Sequence, residues 1–127
     1  MNRLIVLLGT GQTKLREIRD KSYRQTKYQR QDTQQTYETP FFAEALVQLY
    51  PKRFDAIEIF GTKDSMWETL FVHCLEDNIT EKDAEVFNHI VSEERNISDE
   101  QLQHIAQTFV RKCQPNIKEA RCSIIPV

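Results

Sequence analysis

Residues 56–65, Ala56-Ile57-Glu58-Ile59-Phe60-Gly61-Thr62-Lys63-Asp64-Ser65, decide the fold. Five residues rich in isoleucine and phenylalanine, closed by glycine, spell a strand. Directly after it, Ser65-Met66-Trp67-Glu68 matches the S-x-x-E capping box that opens a helix. Strand, glycine turn and helix in that order are the local pattern of an α/β protein. Leu4-Ile5-Val6-Leu7-Leu8 repeats the first half of this pattern and runs into Gly9-Thr10-Gly11. A strand that ends in glycine and a small hydroxyl residue exposes backbone N–H groups at the carboxyl edge of a sheet. Two such ends side by side form a cleft for a nucleotide-like anion. Thr62 and Ser65 add hydroxyl donors to that cleft and Lys63 adds a charge.

The rest of the chain fits around these two strands. Gln12 to Tyr37 is polar, with Tyr23, Thr26, Tyr28, Thr33, Thr36 and Tyr37 favouring extended structure. A β-hairpin around Arg30 to Gln34 suits it, although no Asn-Gly or Asp-Gly marks the turn, and a long loop is the competing reading. Thr39-Pro40 predicts a helix start, with Thr39 as N-cap and a stripe of Phe41, Phe42, Ala45, Leu46 and Leu49. Tyr50-Pro51 stops it. Met66, Trp67, Leu70, Phe71, Cys74 and Leu75 form one broad buried face of the next helix. Thr80 caps a third helix, with Val86, Phe87, Ile90 and Val91 as its stripe. Ser98-Asp99-Glu100-Gln101 is a second capping box; Leu102, Ile105, Ala106, Phe109, Val110 and Cys113 follow at helical spacing up to Pro115. Cys122 to Val127 reads as a third parallel strand. The expected fold is α/β: a Rossmann-like parallel sheet flanked by helices on both faces, with a β-hairpin insertion after the first strand. Residues 1–127 form a single domain. Its end on an apolar strand suggests the first part of something longer.

The 127 residues are 39% hydrophobic and 28% charged, a globular composition with no apolar run of transmembrane length. Arg3 to Leu8 is followed by a polar, basic run with no cleavage site, so it reads as a buried strand in a cytoplasmic protein and not as a signal peptide. Net charge is −2, too small to advertise nucleic acid. Lys14, Arg16, Arg19, Lys21, Arg24, Lys27 and Arg30, against Glu17 and Asp20, nonetheless place positive charge directly after the first glycine turn. That stretch reads either as an anion-attracting flank or as a solvated basic loop. The acidic run from Glu76 to Glu100 reads as the water-facing side of two helices. Cys74, Cys113 and Cys122 are widely spaced, with no C-x-x-C pair and no zinc-ligand spacing; buried thiols are expected and no metal.

The common owners of such a cleft fail on inspection. Gly9-Thr10-Gly11 begins the dinucleotide fingerprint G-x-G-x-x-G, but Lys14 stands where the third glycine belongs. The Walker loop G-x-x-x-x-G-K-[ST] and the G-x-S-x-G elbow are missing as well. His73, His89 and His104 have no carboxylate at suggestive spacing and read as surface or boundary residues. No catalytic residue is assignable. Trp67 reads as core.

Leu7-Leu8-Gly9-Thr10-Gly11, Glu38-Thr39-Pro40-Phe41-Phe42-Ala43-Glu44-Ala45-Leu46, Phe60 to Glu68 and Ile124-Ile125-Pro126 resemble, in order, the N-terminal part of CARF (CRISPR-associated Rossmann fold) proteins of type III CRISPR systems. The block from Phe60 to Glu68 is the most specific piece. The resemblance implies a nucleotide-binding module of antiviral defence that forms a homodimer and senses cyclic oligoadenylate over the carboxyl ends of its strands, without a cofactor. Carried over by position, Gly9, Thr10, Gly11 and Gln12 line the pocket from the first strand, and Gly61, Thr62, Lys63 and Ser65 from the second. The resemblance also implies a ribonuclease effector of the HEPN type, or another effector, fused or associated and outside this chain. Two alternatives stay open: a metal-independent ring nuclease that degrades the cyclic ligand, and a truncated partner that regulates a full-length relative by dimerising with it.

Overall fold

The computed structural model describes residues 2–9, 26–63, 65–75, 79–92, 97–113 and 117–125. In chain order its elements are β1 (Arg3–Leu7), β2 (Thr26–Gln29), β3 (Thr36–Thr39), α1 (Phe42–Leu49), β4 (Ala56–Gly61), α2 (Trp67–Cys74), α3 (Glu81–Ser92), α4 (Asp99–Cys113) and β5 (Glu119–Ile124). β1, β4 and β5 pair in parallel in that spatial order, and β2 and β3 form a separate antiparallel hairpin. The fold is the expected α/β arrangement, a parallel sheet with helices and a hairpin insertion after the first strand.

The register sorts the sheet's side chains into two sets. Leu4, Ile57 and Ala120 stand in one row and Val6, Ile59 and Cys122 in the next. These rows belong to the single core, together with Val47 of α1, Trp67 and Phe71 of α2, Ile90 of α3 and Phe109 of α4. Each fully buried isoleucine or phenylalanine among them contributes on the order of 1.5–3 kcal/mol by leaving water. The other set contains Ile5, Glu58 and Arg121 in one row and Leu7, Phe60 and Ser123 in the next. There Ile5 is 60% and Leu7 78% exposed.

Among the described residues this differs from the expectation of a sheet covered on both faces and of a buried first strand. Both crossovers, β1 to β4 and β4 to β5, step in the same direction across the sheet. Right-handed crossovers that step the same way lie on the same face. A connection that reverses direction places helices on the second face, and the described strands contain none.

The hairpin has a physical reason for lacking a glycine turn. Its loop spans 30–35, and Gln34 takes the left-handed conformation (φ 63°). Arg30 N–H donates to the Gln35 carbonyl and Gln34 N–H to the Arg30 carbonyl, both at 2.9 Å. The Arg30 guanidinium pairs with Asp32 at 2.6 Å, donates to the Leu49 carbonyl at 3.0 Å and lies over the Tyr50 ring. One basic residue of the charged stretch is therefore a pin between the hairpin and the carboxyl end of α1. Lys14 to Arg24 lie outside the described residues.

α1 begins at Phe42, two residues later than the sequence suggests. Thr39 ends β3 instead of capping a helix that starts at Pro40, although its hydroxyl still accepts the Phe41 N–H at 3.2 Å. The shift turns Phe42 outward and buries Ala43 and Val47. The caps expected at Thr80 and Ser98 form. Thr80 and Asp83 exchange hydrogen bonds at 3.0 and 3.1 Å, and Ser98 and Gln101 do so at 3.2 and 2.9 Å.

Two buried carboxylates tie the helices together. Glu44 of α1 meets His73 Nε2 of α2 at 3.0 Å. Asp83, inside the acidic run expected to face water, is fully buried and meets His104 at 2.7 Å and Arg111 at 2.9 Å. Neither pair was visible from spacing, because the partners lie 29 and 21 residues apart. Burial pushes the Glu44 carboxyl up, but the hydrogen bond and charge of His73, with Thr39 and Lys112, outweigh it and hold the carboxyl below its ordinary value. Burial acts the same way on Asp83, and the Thr80 N–H, His104 and Arg111 more than offset it.

Both carboxyls thus ionise more readily in the folded chain than in the unfolded one. Their stabilisation is complete above the ordinary values of 4.5 and 3.8 and is lost as pH falls through the lowered ones. Urea unfolding followed from pH 7 downward should show this loss beginning near pH 4.5. The substitution His73→Ala strands the Glu44 carboxylate and should cost about 1–3 kcal/mol at pH 7. An unchanged unfolding midpoint contradicts the tie.

Candidate functional site

The pairing of β1 with β4 brings the two Gly-Thr strand ends together. Leu7 stands opposite Phe60, and Leu8 N–H continues the ladder to the Phe60 carbonyl at 2.7 Å. Ser65 closes the junction. Its hydroxyl donates to the Leu8 carbonyl at 2.9 Å and accepts the Thr62 N–H at 2.9 Å. Trp67, fully buried, donates its indole N–H to the Thr62 carbonyl at 2.9 Å, and Met66 N–H donates to the Gly9 carbonyl at 3.0 Å.

Gly61 is glycine because of this junction. A Cβ there would lie 2.7 Å from Ser65 Oγ and 2.8 Å from the Trp67 ring, closer than packed atoms come. Gly9 is the opposite case. It is exposed, and a Cβ on it would meet nothing within 4 Å.

The arrangement corrects the capping-box reading. α2 starts at Trp67 with Met66 as N-cap and no side-chain capping hydrogen bond. Ser65, only 4% exposed, is a brace between strand ends and not a cap. The expected display of amides from the second strand end is reduced for the same reason. The N–H groups of Thr62, Ser65, Met66 and Trp67 go to Ser65 Oγ, Thr62 O, Gly9 O and Ser65 O. Of the residues singled out from sequence, Gly9 and Lys63 are exposed, Thr62 is half-buried, and Gly61 and Ser65 are buried. Thr10, Gly11 and Gln12 lie outside the described residues.

Beside Gly9 opens a cavity of about 190 Å³. Leu8 and Gly9 from the end of β1, Tyr28 from the hairpin, Phe42 from α1 and Met66 are in its wall. Tyr28 and Phe42 stand with ring centroids 5.6 Å apart. Sequence reasoning did not assign Tyr28 and Phe42 to the site; Tyr28 read only as strand-forming and Phe42 as core. The one available signal was a pair of tyrosines, Tyr28 and Tyr37, in a hairpin otherwise built of polar residues. A larger, more open cavity of about 470 Å³ lies at the amino ends of the strands, with Arg3, Lys118 and Arg121 in its wall. There Arg3 is already paired with Glu58 at 3.1 Å and Glu119 at 3.6 Å.

Among the described residues no group of three His, Cys, Asp or Glu side chains is placed to hold a metal, and no helix is long and apolar enough to cross a membrane. Cys74, Cys113 and Cys122 are buried, and burial pushes the thiols of Cys113 and Cys122 up to about 12, so they are poor nucleophiles. A search of protein families, of curated proteins and of solved structures found no match to the chain.

The two glycines separate by substitution. Gly61→Ala should destabilise by about 1–3 kcal/mol or more, because Ser65 and Trp67 must move. Ser65→Ala should cost about 1–3 kcal/mol by stranding the Leu8 carbonyl and the Thr62 amide. Gly9→Ala should stay within about 0.5 kcal/mol of the parent. Urea denaturation of the three variants checks this order; equal effects of the two glycine substitutions contradict the junction.

Proposed function

We propose that the chain binds a cyclic oligoadenylate at the paired strand ends, as the sensing module of a type III CRISPR antiviral system. It controls a ribonuclease of the HEPN type, or another effector, that lies outside this chain, and it acts as a homodimer. One observation carries the reading: the carboxyl ends of β1 and β4 are neighbours, and the first of them presents an exposed glycine with open space above it. A phosphodiester can approach the Gly9 backbone more closely than it could approach any residue with a side chain. Lys63, exposed on the adjacent strand end, supplies the charge, and the half-buried Thr62 supplies a hydroxyl.

In this reading Ser65 keeps the geometry and does not touch the ligand. Its hydroxyl proton is directed at the Leu8 carbonyl.

Calorimetric titration with cyclic tetra-adenylate and cyclic hexa-adenylate tests the proposal. One of the rings should bind the parent chain, and Gly9→Ala should weaken it roughly tenfold, equal to about 1.4 kcal/mol, without loss of fold. Lys63→Ala should weaken it less and reduce its salt dependence. A folded parent chain that binds neither ring, or a Gly9→Ala variant with parental affinity, overturns the proposal.

A further inference from the structure

We infer that the 190 Å³ cavity beside Gly9 is the subsite for one nucleobase of the ligand, with the hairpin and the first turn of α1 as its recognition elements; the inference rests on the reading of the strand ends as a nucleotide-binding edge. The size fits a flat ring. An apolar cavity of about 150 Å³ is enough to hold benzene, and this one is somewhat larger. The chemistry fits as well. Core-facing side chains such as Val6, Ile59 and Leu70 form its floor.

Its aromatic wall is the second observation. Tyr28 and Phe42 approach at 5.6 Å with their planes 43° apart. Phe42 is 55% exposed, an uncommon state for a phenylalanine on a helix whose neighbours Phe41 and Ala43 are buried. The late start of α1 at Phe42 leaves that ring out of the core and at the cavity. An aromatic held partly in solvent beside an apolar cavity offers a π-face for stacking. Gly9, in the same wall, lets the sugar-phosphate backbone pass close to the strand end while the base enters the cavity. A simple anion would use Gly9 and Lys63 alone; a nucleotide uses the cavity too.

Methyl-resolved NMR tests this with adenosine, ribose 5-phosphate and cyclic tetra- and hexa-adenylate as probes, on the parent chain and on Phe42→Ala and Tyr28→Ala. Phe42 is largely solvent-facing, so Phe42→Ala should keep the fold, checked by circular dichroism. Adenosine should move the Val6, Leu8, Ile59 and Leu70 methyl signals, and ribose 5-phosphate should not. Each aromatic substitution should weaken adenosine and the ring that binds by about 5- to 150-fold. If a ring binds with these methyls silent and with parental affinity in both variants, the nucleobase subsite is overturned and the strand-end reading stands. If adenosine moves the methyls but neither ring binds, the subsite stands and cyclic oligoadenylate is the wrong ligand. If neither adenosine nor a ring binds, both fall.

Discussion

One hydroxyl group organises the carboxyl edge of this protein. Ser65 Oγ takes the Thr62 N–H from one strand end and gives its proton to the Leu8 carbonyl of the other. The contact requires Gly61 to lack a side chain, and it fixes where α2 begins. It also accounts for the division of labour between the two Gly-Thr ends. The Thr62, Ser65, Met66 and Trp67 amides that follow β4 are bonded among themselves or to the Gly9 carbonyl, while the β1 end has open space at the Gly9 Cα. Two similar dipeptides thus serve different purposes, one as a joint and one as an approach to the backbone.

The position of the site follows from the topology. Crossovers that step one way across the sheet stack the four described helices against one face. The hairpin leaves the sheet and packs against α1, where the Arg30 guanidinium fastens it to the Leu49 carbonyl. That placement puts Tyr28 next to Phe42 and both next to the end of β1. The cavity beside Gly9 is consequently built from pieces distant in sequence: a strand end, a hairpin side chain and the first residue of a helix.

Much of the fold was legible from the residues. The two strand ends, the helical stripe from Leu102 to Cys113, the cap at Thr80 and the capping box at Ser98 are local signals, and each element formed close to its expected bounds. What was misjudged depended on tertiary contacts. Ser65-Met66-Trp67-Glu68 carries the letters of a capping box, but the Leu8 carbonyl and the Thr62 amide compete for the same hydroxyl and win. Asp83 belongs to an acidic run, yet His104 and Arg111 from another helix make its burial tolerable. Thr39-Pro40 resembles a helix start, yet Thr39 pairs with Thr26 in the hairpin, which delays the helix. That the described helices all pack on one face of the sheet was hidden because strand alternation in sequence does not encode the direction of each crossover.

The central claim is that an anionic ligand meets this chain at the carboxyl edge through the Gly9 backbone, and not at the opposite edge, where Arg3, Lys118 and Arg121 line the larger cavity. Amide chemical-shift mapping with cyclic tetra-adenylate and cyclic hexa-adenylate tests it most directly. The account predicts that the ring that binds causes large shifts at Gly9 and Lys63, with Lys118 to Arg121 unmoved. Shifts centred on Lys118 to Arg121, where bulk charge and the larger cavity would draw an anion, would contradict it.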